Sequence, residues 1–325
     1  MADYSIYTYG RMIADAVRMT AYEAALRQTL RPGAVVVDIG SGPGLFALLA
    51  CRYGAGRVYA IEPDPVIYVA QEMAAVNGYG DRIVFLPQPA QSVQLPESAD
   101  LIISDLRGSL PLYRQHLPAI MDARQRWLKP GGVLIPQQDT LWAAVAGAPA
   151  LYERYTEPWE RAYPAFDLQA ARQLAVNVPL NERLAPEQLL SSPQNWATLD
   201  YRRLTTPHIE GRVTWEFGRN AAGIAHGLAV WFDALLADGI GFSNAPDQPP
   251  AIYKQLFFPW EQPIALQPGL TLAARLSARL VGDDYLWQWE TQVWDDRRQL
   301  LAHYRQSTFH AMPLSPRLRQ QLSAE

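Results

Sequence analysis

At 325 residues, 49% hydrophobic and 18% charged, the chain carries enough apolar material for two packed cores, which excludes a disordered or fibrous protein. Its formal net charge is -4, only Lys129 and Lys254 of its 28 basic residues are lysines, and no arginine stripe follows a phosphate backbone, so nucleic acid is not an expected partner. The single Cys51 excludes an intramolecular disulfide; with no signal-like start and no run of ~18 apolar residues, the expectation is a cytoplasmic protein with no membrane partner.

Residues 11–30 set Met12, Ala16, Met19, Tyr22, Ala25 and Leu26 at helical spacing, stopped by Arg31-Pro32-Gly33. AVVVDIG then predicts a strand buried on both faces, and Leu45 to Tyr53 a helix. RVYAIE, RIVFLP, ADLIISD and GGVLIP predict four further strands, with helices over Pro65 to Asn77 and Leu110 to Leu128. Strands alternating with helices in this way imply an α/β, doubly wound parallel sheet. Beyond Pro136 the period changes to two, as in Leu270, Leu272, Ala274, Leu276 and Ala278, or Trp287, Trp289, Thr291 and Val293, which predicts half-buried antiparallel strands. Tyr152, Tyr155, Trp159 and Tyr163 predict a helical insertion near 151–176, whereas 220–238 suits a buried strand and a helix equally. The expected domains are 1–136 and 137–325. His226 and the tryptophans 287 and 289 are read as core, and His208, His303 and His310 show no metal spacing, so no metal is expected.

The sharpest chemical signal is Asp38-Ile39-Gly40-Ser41-Gly42-Pro43-Gly44, at a strand end that opens a helix. Alternate glycines let the backbone approach a bulky ligand, and an acid before them can hold a cationic amino group. A dinucleotide loop wants a third glycine at position 45, where Leu stands, so an oxidoreductase is the remoter alternative. Glu62 ends the second strand, where a carboxylate can accept two ribose hydroxyls.

RMIADAVRMTAY, VVVDIGSGPGLFALLACRYGAGRVYAIE, VIYVAQEMAAVNGYGDRIVFLP and ARQRWLKPGGVLIP together resemble the protein arginine methyltransferase family, and the resemblance continues through RNAAGIAHGLAVWFDALLADGIGFSNAP and YKQLFFPWEQPIALQPG. It implies a class I, Rossmann-like S-adenosyl-L-methionine domain followed by an antiparallel β-barrel substrate domain, with the insertion as an arm that makes a homodimer. It further implies that Arg18 pairs with the cofactor's carboxylate and that Tyr9 and Met12 close over it. Asp38, Gly40, Gly42 and Gly44 would form the loop, Glu62 would hold the ribose, and Ala90 and Gln91 would lie beside the adenine. The resemblance also makes 220–238 largely strand and suggests a cis bond before Pro136.

The family holds the substrate guanidinium with two Glu residues on one loop, which here reads S-D-L-R-G-S-L-P-L-Y-R-Q-H. Asp105 replaces the first and Arg114 the second, and the T-H-W motif falls on Ala251-Ile252-Tyr253. An attraction of roughly 4 kcal/mol at ~4 Å thus becomes a repulsion of similar size. The expectation is therefore a methyltransferase with a changed, non-arginine acceptor, an acidic small molecule or protein among the candidates. Asp105 would position that acceptor, Arg114, with Arg107 beside it, would bind its anionic group, and His116 would take a proton near neutral pH. Three alternatives stand beside it: a cofactor-binding scaffold without catalysis, a true arginine methyltransferase with a divergent site, and Arg114 and His116 as mere solvated helix residues.

Overall fold

The computed structural model describes residues 5–311; the ends of the two expected domains, 1–4 and 312–325, lie outside the described residues. The chain divides into two compact units, and the division is not linear. One unit holds the chain as far as Leu141 together with Thr198–Pro207 and Phe232–Lys254, and the other holds Trp142–Ala197, His208–Trp231 and the chain from Gln255 onward. The expected single boundary after 136 is thus replaced by crossings inside three strands.

The first unit opens with α1 (Ile6–Ala14) and α2 (Ala16–Thr29), where one helix was expected. The break is Asp15, which leaves helical geometry and caps α2 by accepting the Arg18 N–H at 3.2 Å. Next come β1 (Val35–Ile39), α3 (Leu45–Arg52), β2 (Arg57–Ile61), α4 (Ile67–Val76), β3 (Ile83–Leu86), β4 (Ala99–Ser104), α5 (His116–Arg126) and β5 (Leu128–Ile135). The strands pair in parallel in the order β3-β2-β1-β4-β5, the expected doubly wound sheet. Every residue of β1 is buried, as a strand flanked by strands and covered on both faces requires. The order reverses between β1 and β4, which opens a crevice at their carboxyl ends, the place where such sheets receive ligands.

The helix expected over Leu110 to Leu128 starts only at His116. Residues 105–115 are irregular, with Pro111 ahead of the helix and Arg114 in a left-handed conformation at φ 45, so the loop after β4 is longer than its apolar pattern suggests. The Ile135–Pro136 bond is cis, as the resemblance implied.

Later elements are β6 (Gln138–Ala146), α6 (Pro149–Glu160), α7 (Gln169–Ala175), β7 (Leu180–Glu182), β8 (Gln194–Asp200), β9 (Ile209–Glu216), β10 (Ile224–Ala237), β11 (Ile240–Ser243), β12 (Gln255–Ala265), β13 (Thr271–Val281), β14 (Asp284–Trp294) and β15 (Leu300–Ser307). The barrel region consists of two sheets, β7-β12-β10-β6-β8 with β11 on β10, and β15-β14-β13-β9. The ambiguous 220–238 is the long strand β10. Alternation along β13 and β14 buries Leu272, Leu276, Trp287, Trp289 and Val293, and Phe258 lies 5.2 Å from both tryptophan rings, so these aromatics form core. His226 is likewise buried, 5.4 Å from Tyr152. The helical insertion is the pair α6 and α7, joined through the ion pair of Arg172 and Glu160.

Candidate functional site

The site grows from the carboxyl ends of β1, β2 and β4. Gly40 and Gly42, just past β1, both have positive φ, at 71 and 50. A Cβ on Gly40 would lie 2.1 Å from Leu106 Cδ2, and one on Gly42 would lie 2.7 Å from the Tyr9 ring, so the loop admits only glycine at these points. Gly44 caps α3 from the same conformation. Beneath the loop Asp38 is fully buried. Among the described residues no donor reaches either of its carboxylate oxygens in hydrogen-bonding geometry. Burial pushes its pKa up to about 7, and the Ala47 amide offsets only part of that. Glu62, one residue past β2, accepts the Gly42 N–H at 3.0 Å and the Asp64 N–H at 2.9 Å, leaving a further lone pair on each oxygen. Burial raises its pKa as well, against those two bonds.

A cavity of about 50 Å³ opens at this crevice, bounded by Tyr9, Met12, Arg18, Gly40, Gly42 and Asp105 among others. It brings the loop, the α1 residues and the first acid of the acceptor loop into one space. Ala90 and Gln91 lie on a short turn outside it, Ala90 buried and Gln91 exposed.

Asp105, one residue past β4, is held from several sides. Its Oδ2 accepts Arg18 Nε at 2.5 Å and the Tyr253 hydroxyl at 2.6 Å. Arg107 Nε stands 3.6 Å from Oδ1, and Arg107 Nη2 stands 3.1 Å from Asp139 Oδ2. Burial works to raise the Asp105 pKa, but Arg18, Arg107 and the Tyr253 bond bring it below the usual carboxylate range. Arg18 therefore spends Nε on Asp105, while its Nη1 donates to the Met12 carbonyl at 3.2 Å and to Met19 Sδ.

Two expectations for the acceptor loop change. Against His116 as a base near neutral pH stands its environment: it is buried, and burial together with the nearby Arg107 pushes its pKa down to about 3. Tyr201 donates to Asp139 Oδ2, and His116 Nε2 lies 3.0 Å from the Tyr201 oxygen, so His116 is the donor there and carries its proton on Nε2. It belongs to the support of Asp139. Nor are the pair jointly solvated helix residues: Arg114 is exposed and precedes the helix, and it lies over the Tyr113 ring at 5.3 Å. Arg114 and His116 are both absent from the cavity lining.

Tyr253, Asp139 and Tyr201 were not singled out from sequence. Tyr253 had been seen only as the end of the replaced T-H-W motif. Asp139 had one signal available, the single acid of β6, in a strand whose remaining run LWAAVA is apolar, and such an acid, once buried, needs a cation. The larger cavity, about 330 Å³, lies in the second unit over β13 to β15. Its Arg275 is paired with Glu210 and its Arg305 with Glu290, which makes it a mixed-charge strand face.

A family model described as a methyltransferase domain matches residues 36–132, and one described as the arginine methyltransferase oligomerization subdomain matches 138–291. Protein arginine N-methyltransferase 6 of Xenopus laevis is 30% identical over 241 residues, which cover 71% of this chain and 70% of that protein. The chain belongs to the protein arginine methyltransferase family. A probable protein arginine N-methyltransferase 6 of Arabidopsis thaliana is 32% identical over 228 residues, so the match spans about half, 52%, of that relative. Among solved structures, Arabidopsis thaliana protein arginine methyltransferase 10 superposes with a TM-score of 0.82 at 20% identity, covering 94% of this chain and 98% of that one. A Trypanosoma brucei PRMT1 enzyme-prozyme complex with AdoHcy gives 0.82 at 21% identity, covering 92% and 96%. At such identity these likenesses speak for the family fold.

Proposed function

We propose that this member of the family transfers a methyl group from S-adenosyl-L-methionine to an arginine of a protein, with Asp105 as the acid that receives the guanidinium. The observation that carries it is that Asp105 and the Gly40-Gly42 loop border one cavity. The arginine acceptor draws support from the relatives, which are named as protein arginine N-methyltransferases. It replaces the non-arginine acceptor expected from the altered loop.

The residues fit the cofactor. Asp38 keeps a buried carboxylate that only the Ala47 amide approaches, outside strict hydrogen-bonding geometry, suited to a cationic amino group, and the loop would be filled by a Cβ at Gly40 or Gly42. Glu62 would take ribose hydroxyls, Arg18 the carboxylate, Tyr9 and Met12 one side of the ligand, and Ala90 with Gln91 the adenine edge. When bound, the cofactor supplies a methyl group on a positively charged sulfur, an electrophile that needs little activation. The protein's part is then alignment and exclusion of water. Asp105, kept ionised by its cations, would orient the acceptor nitrogen and hold its charge.

A second reading, an altered acceptor or a scaffold without turnover, is favoured by one feature: Asp105 is already engaged by Arg18 and Tyr253, while Arg114 replaces the second acid. Transfer of labelled methyl groups to arginine-rich peptides decides between them, and Asp105→Asn should abolish any transfer the first reading requires.

The homodimer belongs to the same proposal. It is supported by the oligomerization-subdomain match and by the arm's Trp159, Tyr163 and Phe166, exposed at 39%, 68% and 69%. A reducing cytoplasm is supported by the lone, buried Cys51.

A further inference from the structure

The two oxygens of Asp105 are not equivalent. Oδ2 accepts from Arg18 Nε and from Tyr253 Oη, whereas Oδ1 has no hydrogen-bond partner among the described residues and faces Arg107 Nε at 3.6 Å. Arg107 has a fully buried side chain. It sits between Asp105 and Asp139 with its guanidinium over the rings of Phe232 and Phe242, at 5.2 and 5.7 Å. Yet among the described residues none of its three nitrogens reaches a partner in hydrogen-bonding geometry. A guanidinium normally answers a carboxylate with paired N–H bonds. Here it gives only charge.

We propose that Arg107 is a specificity-determining, positioning residue that stands in for the acceptor's guanidinium at Asp105 Oδ1, and so sets how weakly this site takes an arginine. The inference rests on the proposed arginine acceptor. Oδ1 is the atom an arriving N–H needs, and a second guanidinium there meets a carboxylate whose charge two arginines already balance. Arg107 is held by ion pairing and by the two rings, with no hydrogen bond among the described residues, so it weakens acceptor binding without closing the site. Its removal leaves Asp105 with a charge and an oxygen to offer, and frees the Phe232 and Phe242 rings that now meet the Arg107 cation.

The test uses Arg107→Met combined with Asp139→Asn, which removes the rear ion pair as a unit and strands neither charge. Calorimetric titration with N-acetylarginine amide should show binding tighter by about tenfold or more than in the unmodified protein, equivalent to ~1.4 kcal/mol. On an arginine peptide KM should fall by a similar factor with kcat little changed. Unchanged or weaker binding overturns the proposal. If the double variant does not fold, Arg107→Ala is melted with low-millimolar guanidinium chloride or tetramethylammonium chloride. Selective stabilisation by guanidinium supports the proposal, and equal behaviour of the two salts overturns it. Tighter binding without methylation by any variant keeps this inference and removes the arginine-transfer reading. Methylation with unchanged KM and unchanged binding does the reverse.

Discussion

Single residues in this site act mainly through where their charges are buried. Asp38 has a pKa of about 7 in the folded protein against an ordinary 3.8, so its effect on stability is full below 3.8 and is lost as pH rises through about 7. A cationic amino group binds the ionised form, so affinity for S-adenosyl-L-methionine should weaken about tenfold per pH unit below about pH 7, and Asp38→Asn should flatten that slope while lowering affinity. Titration calorimetry across the range checks it. Tyr253 acts in the opposite direction, because its hydroxyl helps keep Asp105 ionised. Tyr253→Phe should cost about 2 kcal/mol in urea unfolding near neutral pH, the worth of a hydrogen bond to a charged group, and the deficit should vanish in acid once Asp105 is protonated. The glycine loop, Glu62 and Asp105 were legible in the sequence because each follows a strand directly, and Asp38 because it is the one acid inside the apolar run of β1. The role of Arg107, Asp139 and Tyr201 and the true state of His116 were not, because partners 32 to 85 residues apart meet only in the fold, and burial, which sets the His116 pKa, has no local signature.

At the scale of elements, strands were the most legible and helix ends the least. The all-buried β1 declared itself by its β-branched run, and β13 and β14 by their alternation. The helix starts went wrong where a single side chain or backbone turn overrode the pattern: Asp15 divides α1 from α2, and the loop through Arg114 delays α5 to His116. Arg114 holds a left-handed backbone that costs a non-glycine residue roughly 1 kcal/mol. Arg114→Gly should therefore unfold at no lower urea concentration than the parent despite losing a side chain, since relief of strain offsets the flexibility gained by the unfolded chain. In the arm, Tyr163→Asp with Phe166→Asp places charges on exposed aromatic positions, so folding should survive while the dimer fails. Light scattering should give the mass of a dimer for the parent and of a monomer for the variant; a monomeric parent would remove the arm from this role.

For the whole molecule, the order β3-β2-β1-β4-β5 gathers the Gly40-Gly42 loop, Glu62 and Asp105 at the carboxyl ends of neighbouring strands, and Asp105 is then wrapped in the protein's own cations. The sequence disclosed that topology through its alternation of strands and helices, but not the return of Thr198–Pro207 and Phe232–Lys254 to the first unit, which no local period encodes. That return is what supplies Tyr201 and Tyr253 to the site. The proposed methyl transfer to protein arginine through Asp105 is put to the test by incubating the protein with labelled S-adenosyl-L-methionine and arginine-rich peptides, then locating the label by fragmentation mass spectrometry. Label should appear on arginine side chains, reduced at least a hundredfold by Asp105→Asn in a variant shown to be folded, as loss of several kcal/mol of transition-state stabilisation requires. Label confined to other side chains, or arginine labelling that Asp105→Asn leaves intact, would contradict it.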